Sequence, residues 1–330
     1  MSPARIALVT GATGFVGSHL VERLVEAGAR VRCLARRTSS LRYLRPDDVE
    51  IAYGDLATGA GLAEAVDGAD TVFHVAGVTK ASTEAAYFDG NLRGTENLLR
   101  VCEAAGPRRF IHVSSLAAVG PSADGEPLGE DAPPRPLTWY GRSKLAAEAA
   151  VRSSALAERA VIVRPPVVYG PRDTDVFEVF RSVAKGFMVL IGPGDSWFSY
   201  IHVEDLAAGL TAAACVERAA GGTYFIANPE PASWTAFATA AARAMDRNVT
   251  FLRVPAAAAY GAGWCAEIVS WMRGKPGIVS RQKVIEARQR YWICDPARAG
   301  ADLGFRAAHT LEDGIARTLA WYKESGWLKY

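Results

Sequence analysis

The sequence is poor in the features of secreted, metal-binding and nucleic-acid-binding proteins. It has no CxxC pair and no cysteine–histidine spacing typical of a metal site, so we expect no bound metal. Its five cysteines are far apart and are expected to be reduced thiols: Cys33, Cys102, Cys215, Cys265 and Cys294. A formal net charge of +2, with 50% hydrophobic residues, argues against disorder and against a nucleic-acid partner.

Long apolar segments are also missing. The first strand-like run, residues 5–10, begins so early that it leaves no room for a secretory leader, and we expect a cytoplasmic protein. The longest apolar stretch, residues 254–272, contains Glu267 and two glycines and is rich in alanine. We expect a half-buried helix there and no integral membrane span, with peripheral contact to a bilayer as the alternative.

The first half of the chain alternates strand-like and helix-like segments. Runs of consecutive apolar residues, such as IALVT, DTVFHV and RFIHV, are separated by segments with helical spacing. Strands that are apolar on both faces are typical of a parallel sheet covered by helices. The pattern predicts an α/β fold, a Rossmann-type doubly wound parallel sheet, with a smaller mixed C-terminal lobe.

The first turn between strand and helix is rich in glycine. Glycines let the backbone turn tightly and approach a ligand, and the N–H groups that begin a helix favour a pyrophosphate. A ligand-free corner is the alternative, but a place in the first βα turn favours a dinucleotide. We expect the contacts to come from six residues of this turn: Gly11, Thr13, Gly14, Phe15, Val16 and Gly17.

The position of this turn suggests how the chain is divided. We expect residues 1–166 to form a dinucleotide-binding domain, with a returning segment near 200–226. Residues 167–330 are expected to form most of a discontinuous lobe that binds a small-molecule substrate. The sequence has neither an internal repeat nor a linker of low complexity between them.

The end of the second predicted strand bears on which dinucleotide is bound. The segment VRCLARRTSS offers Arg36 and Arg37 and no carboxylate. A carboxylate would bind the ribose 2′-hydroxyl of NAD(H), whereas guanidinium groups pair with the 2′-phosphate of NADP(H). We therefore expect NADP(H), with NAD(H) as the alternative if both arginines only form a solvated surface.

One pair of residues has the spacing needed for acid–base chemistry. In WYGRSKLAAE, Tyr140 and Lys144 are four residues apart and so share a helix face. A phenol titrates near ~10 and needs a neighbouring cation to exchange protons at neutral pH. Taken alone, such a pair is more often an exposed helix surface, and its weight depends on other motifs.

Those other motifs resemble a known family. The matching stretches cover nearly the whole chain: TGATGFVGSHL, GDL, HVAG, NLRGTENLL, VSSLAAVG, YGRSK, RPPVVYGP and YIHVEDLA. The sequence resembles the extended short-chain dehydrogenase/reductases of the NAD(P)-dependent epimerase/dehydratase type. It is most similar to their branch of 3β-hydroxysteroid dehydrogenases and dihydroflavonol reductases. Members of this family pair helices into a homodimer, and the resemblance implies a homodimer here.

The resemblance also implies roles for single residues. Tyr140 would transfer the proton, and Lys144 would lower the pKa of Tyr140 and hold the nicotinamide ribose. Ser115, preferred to Ser114 because it lies 25 residues before Tyr140, would hydrogen-bond the reacting oxygen. Asn91 would support a proton relay or the local backbone. Further cofactor contacts are also implied. Asp55 and Leu56 would flank the adenine, Ala76 and Gly77 the central part of the cofactor, and Pro165 and Val167 the nicotinamide.

The expected class of substrate depends on an arginine that is missing from the second half of the chain. Nucleotide-sugar members of the family carry an arginine where this chain has Trp197, Phe198 and Ser199. This departure favours an NADP(H)-dependent alcohol/ketone oxidoreductase acting on an apolar small molecule. A nucleotide-sugar epimerase or dehydratase with tightly held NAD is the first alternative, and a non-catalytic NADP(H)-binding sensor is the second.

Four further polar residues are expected to be structural. His74 and His112 lie inside apolar strands, where we expect satisfied core histidines rather than metal ligands. His202, between a strand and a helix in YIHVEDLA, is expected to make a structural hydrogen bond. Asp205 is expected to cap or start that helix.

Overall fold

The computed structural model describes residues 6–192, 194–261 and 281–330. Its strands are, in chain order, β1 (Ile6–Thr10), β2 (Arg30–Ala35), β3 (Glu50–Tyr53), β4 (Ala69–His74), β5 (Arg109–Val113), β6 (Ala160–Arg164), β7 (Val167–Tyr169), β8 (Phe187–Ile191), β9 (Trp197–Phe198), β10 (Tyr200–His202), β11 (Thr223–Phe225), β12 (Ala232–Ser233), β13 (Thr250–Val254) and β14 (Tyr291–Trp292). Its helices are α1 (Phe15–Glu26), α2 (Leu62–Val66), α3 (Glu84–Phe88), α4 (Gly94–Ala105), α5 (Trp139–Ser153), α6 (Phe177–Ala184), α7 (Val203–Cys215), α8 (Trp234–Ala244), α9 (Arg281–Ala287), α10 (Ala297–Leu303) and α11 (Leu311–Glu324).

Seven strands form one parallel sheet, in the order β11-β6-β5-β4-β1-β2-β3. The strand order reverses at β1, which lies between β2 and β4. In open α/β sheets, ligands bind beside the carboxyl ends of the strands at such a switch point. The glycine turn after β1 and the segment after β4 both lie at this edge. The predicted doubly wound parallel sheet is confirmed.

Helices cover both faces of the sheet, which explains its continuously apolar strands. On one face, Leu20 of α1 and Leu206 of α7 are buried with Val9 and Val161. On the other face, Leu98 of α4 and Val151 of α5 are buried with strand residues. Each fully buried aliphatic side chain contributes about 1.5–3 kcal/mol to folding, so the two layers hold the sheet edge and its turns in place.

The remaining strands form smaller sheets, one of them mixed. Strand β9 pairs antiparallel with β12 and parallel with β14. A core rich in aromatic residues lies beside them and includes Phe180, Phe198, Phe237 and Tyr322. The predicted smaller mixed C-terminal lobe is confirmed by this arrangement. The proposed division at residue 166 stays a prediction, since the chain returns to the main sheet with β11.

The predicted apolar helix at 254–272 lies partly outside the described residues, which stop at 261 and resume at 281. Within the described ranges, no helix has the length and apolar character required to cross a bilayer.

Candidate active site

The glycine turn after β1 forms a cradle with open backbone donors. Gly11 has a φ of +69°, and a Cβ there would lie 2.7 Å from the backbone nitrogen of Ala76. Helix α1 follows with Gly14 at its N-cap, so no side chain occupies the N–H groups of its first turn. Thr13, Phe15 and Val16 flank those groups, and Gly17 is buried beneath them. The turn therefore fits a pyrophosphate, which accepts such N–H donors.

The residues expected at the adenosine end lie around the ends of β2 and β3. Arg36 and Arg37 are exposed, and the Arg37 guanidinium lies 5.0 Å from the centroid of the Tyr53 ring. Asp55 Oδ1 accepts a hydrogen bond of 2.9 Å from the Ala57 backbone, and Leu56 follows it directly. The carboxylate is thus held by its own turn, while both guanidinium groups face solvent.

Ser115 and Tyr140 come together because two short elements pack tightly. Ser115 is the N-cap of a 3-10 turn at Leu116–Ala118, and Tyr140 is the second residue of α5. Gly141 permits this contact, because a Cβ there would lie 2.3 Å from the Ala117 carbonyl oxygen. The Ser115 side chain lies close enough to the phenol of Tyr140 to lower the pKa of that phenol. Ser114 instead donates to Glu148 Oε1 at 2.6 Å, inside the core.

Lys144 lies one turn further along α5, and it is buried. Its Nζ donates a hydrogen bond of 2.6 Å to the Val113 carbonyl. A Cβ on Gly77 would lie 3.4 Å from the same Nζ, so the ammonium group borders the segment after β4. Burial lowers the pKa of Lys144 to about 8, against the opposing effect of the Glu148 carboxylate. The amine thus titrates near neutral pH.

Tyr140 has a pKa above the ordinary value for a phenol. The cause is the cost of burying a charged phenolate. The nearby Ser115 side chain and the positive charge of Lys283 act in the opposite direction. The neutral, proton-donating form of Tyr140 therefore predominates at neutral pH.

Asn91 positions the backbone on both sides of Lys144. It lies in a π-helical turn, Asp89–Arg93, and is buried. Its amide accepts a bond of 2.7 Å from the Val78 N–H and donates to the Val78 carbonyl and to Ser143 Oγ. Ser143 in turn donates to the carbonyl of Tyr140 at 2.8 Å. Asn91 therefore ties the segment after β4 to the helix that carries Tyr140.

Pro165 lies next to the residue that follows Ser115, and Gly77 lies beside Lys144. Val167 begins β7, and Ala76 directly precedes Gly77. The Pro165 carbonyl accepts a hydrogen bond of 2.9 Å from Leu116, the residue after Ser115. Ala76 is held by a bond of 3.2 Å from its N–H to Thr10 Oγ1. The residues expected at the centre and the nicotinamide end of a dinucleotide thus line the same sheet edge as Ser115.

Helix α9 adds polar residues to this site that the sequence motifs do not indicate. Gln282 Oε1 accepts a hydrogen bond of 2.9 Å from the Trp139 N–H, and Glu286 Oε1 accepts one of 3.2 Å from Thr138. Between them, Lys283 pairs with Glu286 at 2.9 Å. These residues lie about 140 positions after Tyr140, and no local spacing signals their approach.

The expected hydrogen-bonded core histidine is found at His74. The expectations for His112 and His202 are wrong. His74 accepts or donates bonds with Thr10 and Thr95, at 2.8 and 2.9 Å. Neither ring nitrogen of His112 or His202 has a hydrogen-bond partner among the described residues. Burial lowers the pKa of His202 to about 3, so its ring is neutral.

Of the two roles expected for Asp205, it has the place at the start of the helix but not the cap. It lies in the first turn of α7, whose N-cap is His202. Its carboxylate accepts hydrogen bonds from the backbone N–H groups of Ala308 and His309, at 3.1 and 3.0 Å. Asp205 therefore holds a distant segment rather than capping its own helix.

Comparison with known proteins gives relatives over the full length of the chain. Residues 7–227 match the model of the NAD dependent epimerase/dehydratase family. The ceramide reductase of Caulobacter vibrioides is 34% identical over 323 residues, 98% of this chain and 96% of that protein. The 3-beta-hydroxysteroid dehydrogenase of Mycolicibacterium neoaurum is 31% identical over 344 residues, 96% and 91% of the two chains. The solved structure of MoeE5 with UDP-glucuronic acid and NAD has a TM-score of 0.77 at 26% identity, covering 97% and 99%.

Proposed function

Because this chain belongs to the NAD-dependent epimerase/dehydratase family of enzymes, we propose that it interconverts an alcohol and a ketone on an apolar small molecule, with NADP(H). The observation that carries this proposal is the proximity of Ser115 and Tyr140 at the sheet edge where a dinucleotide fits, where the first turn of α5 packs on the turn that Ser115 caps. Such a pair supplies both an acid and an orienting hydroxyl for one substrate oxygen.

In the proposed reaction, Ser115 and Tyr140 both hydrogen-bond the substrate oxygen. For ketone reduction, the phenol O–H bond breaks and its proton forms the new alcohol O–H bond. A bound nicotinamide supplies the hydride to the carbonyl carbon, or accepts it in the reverse direction. The raised pKa of Tyr140 keeps its proton available at neutral pH.

Lys144 and Asn91 act around that pair. The Lys144 ammonium borders the segment of Gly77, where it can bind a ribose hydroxyl. The cation that favours the phenolate of Tyr140 is Lys283. Asn91 acts as a positioning residue, since it bonds Val78 and Ser143 on the two sides of Lys144. Its role here is in the local backbone, one of the two that the resemblance implies.

The preference for NADP(H) over NAD(H) is part of the proposal. Arg36 and Arg37 are exposed at the end of β2, where a 2′-phosphate is bound in related folds. Asp55 is held by its own turn through Ala57. The turn from Gly11 to Gly17 would hold the pyrophosphate, and Leu56, Ala76, Pro165 and Val167 would line the rest of the dinucleotide.

The substrate is proposed to be a lipid-like ketone or alcohol. Both the ceramide reductase and the 3-beta-hydroxysteroid dehydrogenase are named for lipid substrates. At the position where a nucleotide-sugar enzyme carries an arginine, Phe198 is buried and stacked on Trp234 at 4.1 Å. Ser199, the next residue, is also buried. Neither side chain offers a cation to a diphosphate.

A nucleotide-sugar epimerase is the second candidate, because the chain is similar to MoeE5 with UDP-glucuronic acid and NAD. An epimerase keeps its cofactor through an internal redox cycle, whereas a reductase exchanges it at each turnover.

A homodimer formed through α4 and α5, and a cytoplasmic location, stay predictions. Analytical ultracentrifugation tests the first.

The experiment that tests the proposal has two parts. Freshly purified protein is denatured, and the released nicotinamide nucleotide is identified and quantified by mass spectrometry. Turnover is then measured with NADPH and a long-chain 3-ketolipid, a 3-ketosteroid and UDP-glucose. We expect little retained cofactor and NADPH consumption with a ketone. Near-stoichiometric NAD, with conversion of UDP-glucose in the absence of added cofactor, would establish the epimerase instead.

A further inference from the structure

Two histidines and a glutamate converge away from the elements that carry Ser115 and Tyr140. His202 ends β10, Glu204 lies in the first turn of α7, and His309 precedes α11. One potential ligand atom from each lies within 4.8 Å of those of the other two. His309 comes from a part of the chain more than 100 residues beyond the other two, so only the fold brings the three together.

The ring of His202 points to a missing ligand. It is 1% exposed, and neither of its nitrogens has a hydrogen-bond partner among the residues that the structure describes. A buried polar group without a partner costs free energy, and native proteins rarely leave one unsatisfied. The His309 ring lies against it, with 4.5 Å between the ring centroids and 41° between the ring planes. A metal ion bound to the nitrogen lone pair of the neutral ring removes this cost at one of the two nitrogens.

His309 has carboxylates near both of its nitrogens. Asp205 Oδ1 lies 3.0 Å from Nδ1, and Glu204 Oε2 lies 3.3 Å from Nε2. The Asp205 carboxylate is itself fixed by the backbone N–H groups of Ala308 and His309. In metal sites, a carboxylate on one nitrogen of a histidine orients the ring and leaves the other nitrogen for the metal. Asp205 lies on the Nδ1 side of His309 without forming a hydrogen bond to that nitrogen, and Nε2 lies toward Glu204. A ring held by a metal ion through Nε2 could turn Nδ1–H onto the Asp205 carboxylate.

We propose that His202, Glu204 and His309 bind a divalent transition-metal cation of the zinc class, with Asp205 as the residue that orients His309. Two imidazoles and one carboxylate form a donor set that suits zinc and leaves a fourth position for water. In a tetrahedral zinc site the ligand atoms are about 3.4 Å apart. The side chain of Glu204 is 42% exposed, so it has room to move. It can therefore approach the two histidines to the distance that a bound ion requires.

The expected consequence of binding is structural. The cation joins the end of β10 and the start of α7 to the segment before α11. Asp205 already bonds the backbone of that segment at Ala308 and His309. Because a ligand that binds only the folded state shifts the unfolding equilibrium, occupancy raises the melting temperature. The cation has no part in the proton transfer proposed for Tyr140.

The test uses the full chain, stripped with a chelator and titrated with Zn²⁺ alone. Isothermal titration calorimetry gives the stoichiometry and affinity, and thermal denaturation gives the shift in melting temperature. We expect one Zn²⁺ per chain and a higher melting temperature. Glu204→Gln and His309→Phe, the latter keeping an aromatic ring against His202, should each weaken binding at least ten-fold and reduce the shift.

Two controls separate this site from adventitious binding. Glu312→Gln changes an exposed carboxylate at the start of α11 and should bind Zn²⁺ as the wild type does. Cys215→Ser removes an exposed thiol and should also leave binding intact. Loss of binding in Cys215→Ser, equal affinity in Glu204→Gln and the wild type, or no saturable binding at all would each overturn the proposal. A Co²⁺ spectrum with thiolate charge-transfer bands would do the same.

Discussion

The backbone N–H of Trp139 donates a hydrogen bond of 2.9 Å to Gln282 Oε1, which joins the first turn of α5 to α9. Trp139 directly precedes Tyr140, so a residue of the C-terminal part of the chain helps to hold the proposed acid. Helix α9 comes from the lobe expected to bind substrate, which suggests that this bond links substrate binding to the position of Tyr140.

Replacement of Gln282 should therefore weaken substrate use more than cofactor binding. A lost hydrogen bond of this kind costs about 0.5–1.5 kcal/mol, so Gln282→Ala should raise KM about two- to ten-fold in steady-state assays. The dissociation constant for NADPH should stay unchanged. Gln289→Ala is the matched control, because among the described residues the Gln289 side chain bonds the carbonyl of Ile285 in its own segment. Equal effects of the two substitutions would contradict this prediction.

Lys283 should influence the pH profile of the reverse reaction. Alcohol oxidation requires the phenolate of Tyr140, so its rate rises as the pH passes the pKa of that group. The positive charge of Lys283 lowers this pKa, against the larger opposing effect of burial. In Lys283→Met the alkaline rise should move to higher pH, and in Lys283→Arg it should stay in place. The exposed Lys185→Met serves as a charge-matched control. A profile unchanged in Lys283→Met would show that the two groups do not interact.

The sequence predicts those parts of the fold and site that depend on local spacing. Tyr140 and Lys144 share a face because helices repeat every 3.6 residues, and the glycine turn follows a strand that is apolar throughout. The contact between α5 and α9 could not be predicted, because no motif or spacing around Gln282 indicates that it lies beside Trp139. Ser114 and Ser115 are equally polar in sequence. The structure separates them, since only the backbone direction at the end of β5 determines which one enters the core.

The arginines after β2 should control the choice of dinucleotide. If both guanidinium groups bind the 2′-phosphate, Arg36→Ala/Arg37→Ala should weaken NADPH binding at least about ten-fold, the equivalent of 1.4 kcal/mol. NADH binding should change little. Arg30→Ala removes an exposed arginine at the other end of β2 and should leave both affinities intact. Fluorescence titration of the two nucleotides measures the effect, and equal losses for NADPH and NADH would exclude phosphate recognition.

Two neighbouring buried histidines should respond in opposite ways to the same substitution. His112 has no hydrogen-bond partner among the described residues, whereas His74 bonds Thr10 and Thr95. Their ring centroids are 5.5 Å apart. At pH 7, His112→Leu should leave the free energy of unfolding unchanged or raise it, while His74→Leu should lower it by about 1–3 kcal/mol. Urea denaturation of both variants measures this, and similar losses would show that His112 has an unrecognised partner.

The same histidines should make the protein sensitive to acid. Burial lowers the pKa of His74 to about 3 and that of His112 well below its usual value. The unfolded chain takes up protons near pH ~6.5, whereas the folded chain does not until much lower pH. Stability should therefore fall as the pH is lowered from about 6.5 toward 3. His112→Leu should make that fall less steep, and an unchanged slope would contradict the assignment.

The expected structural hydrogen bond of His202 is wrong, because its ring lies against a residue from a distant part of the chain. Its flanking strand and helix are as expected, but its ring has no hydrogen-bond partner among the described residues and lies against His309, which comes from the segment before α11. Long-range contacts of this kind determine whether a polar residue in a motif is satisfied. They also bring together the three side chains that we propose as a metal site.

The most direct test of the account is the substitution Tyr140→Phe. It removes the phenol oxygen beside Ser115 and keeps the ring. Tyr87→Phe is the matched control, since the Tyr87 ring lies 6.2 Å from that of Tyr140. Single-turnover measurements with NADPH and the ketone found to be a substrate should show a loss of at least about 100-fold in Tyr140→Phe. NADPH affinity should be retained, and Tyr87→Phe should have near wild-type turnover. Full hydride transfer in Tyr140→Phe would show that another group donates the proton and would contradict the proposed chemistry.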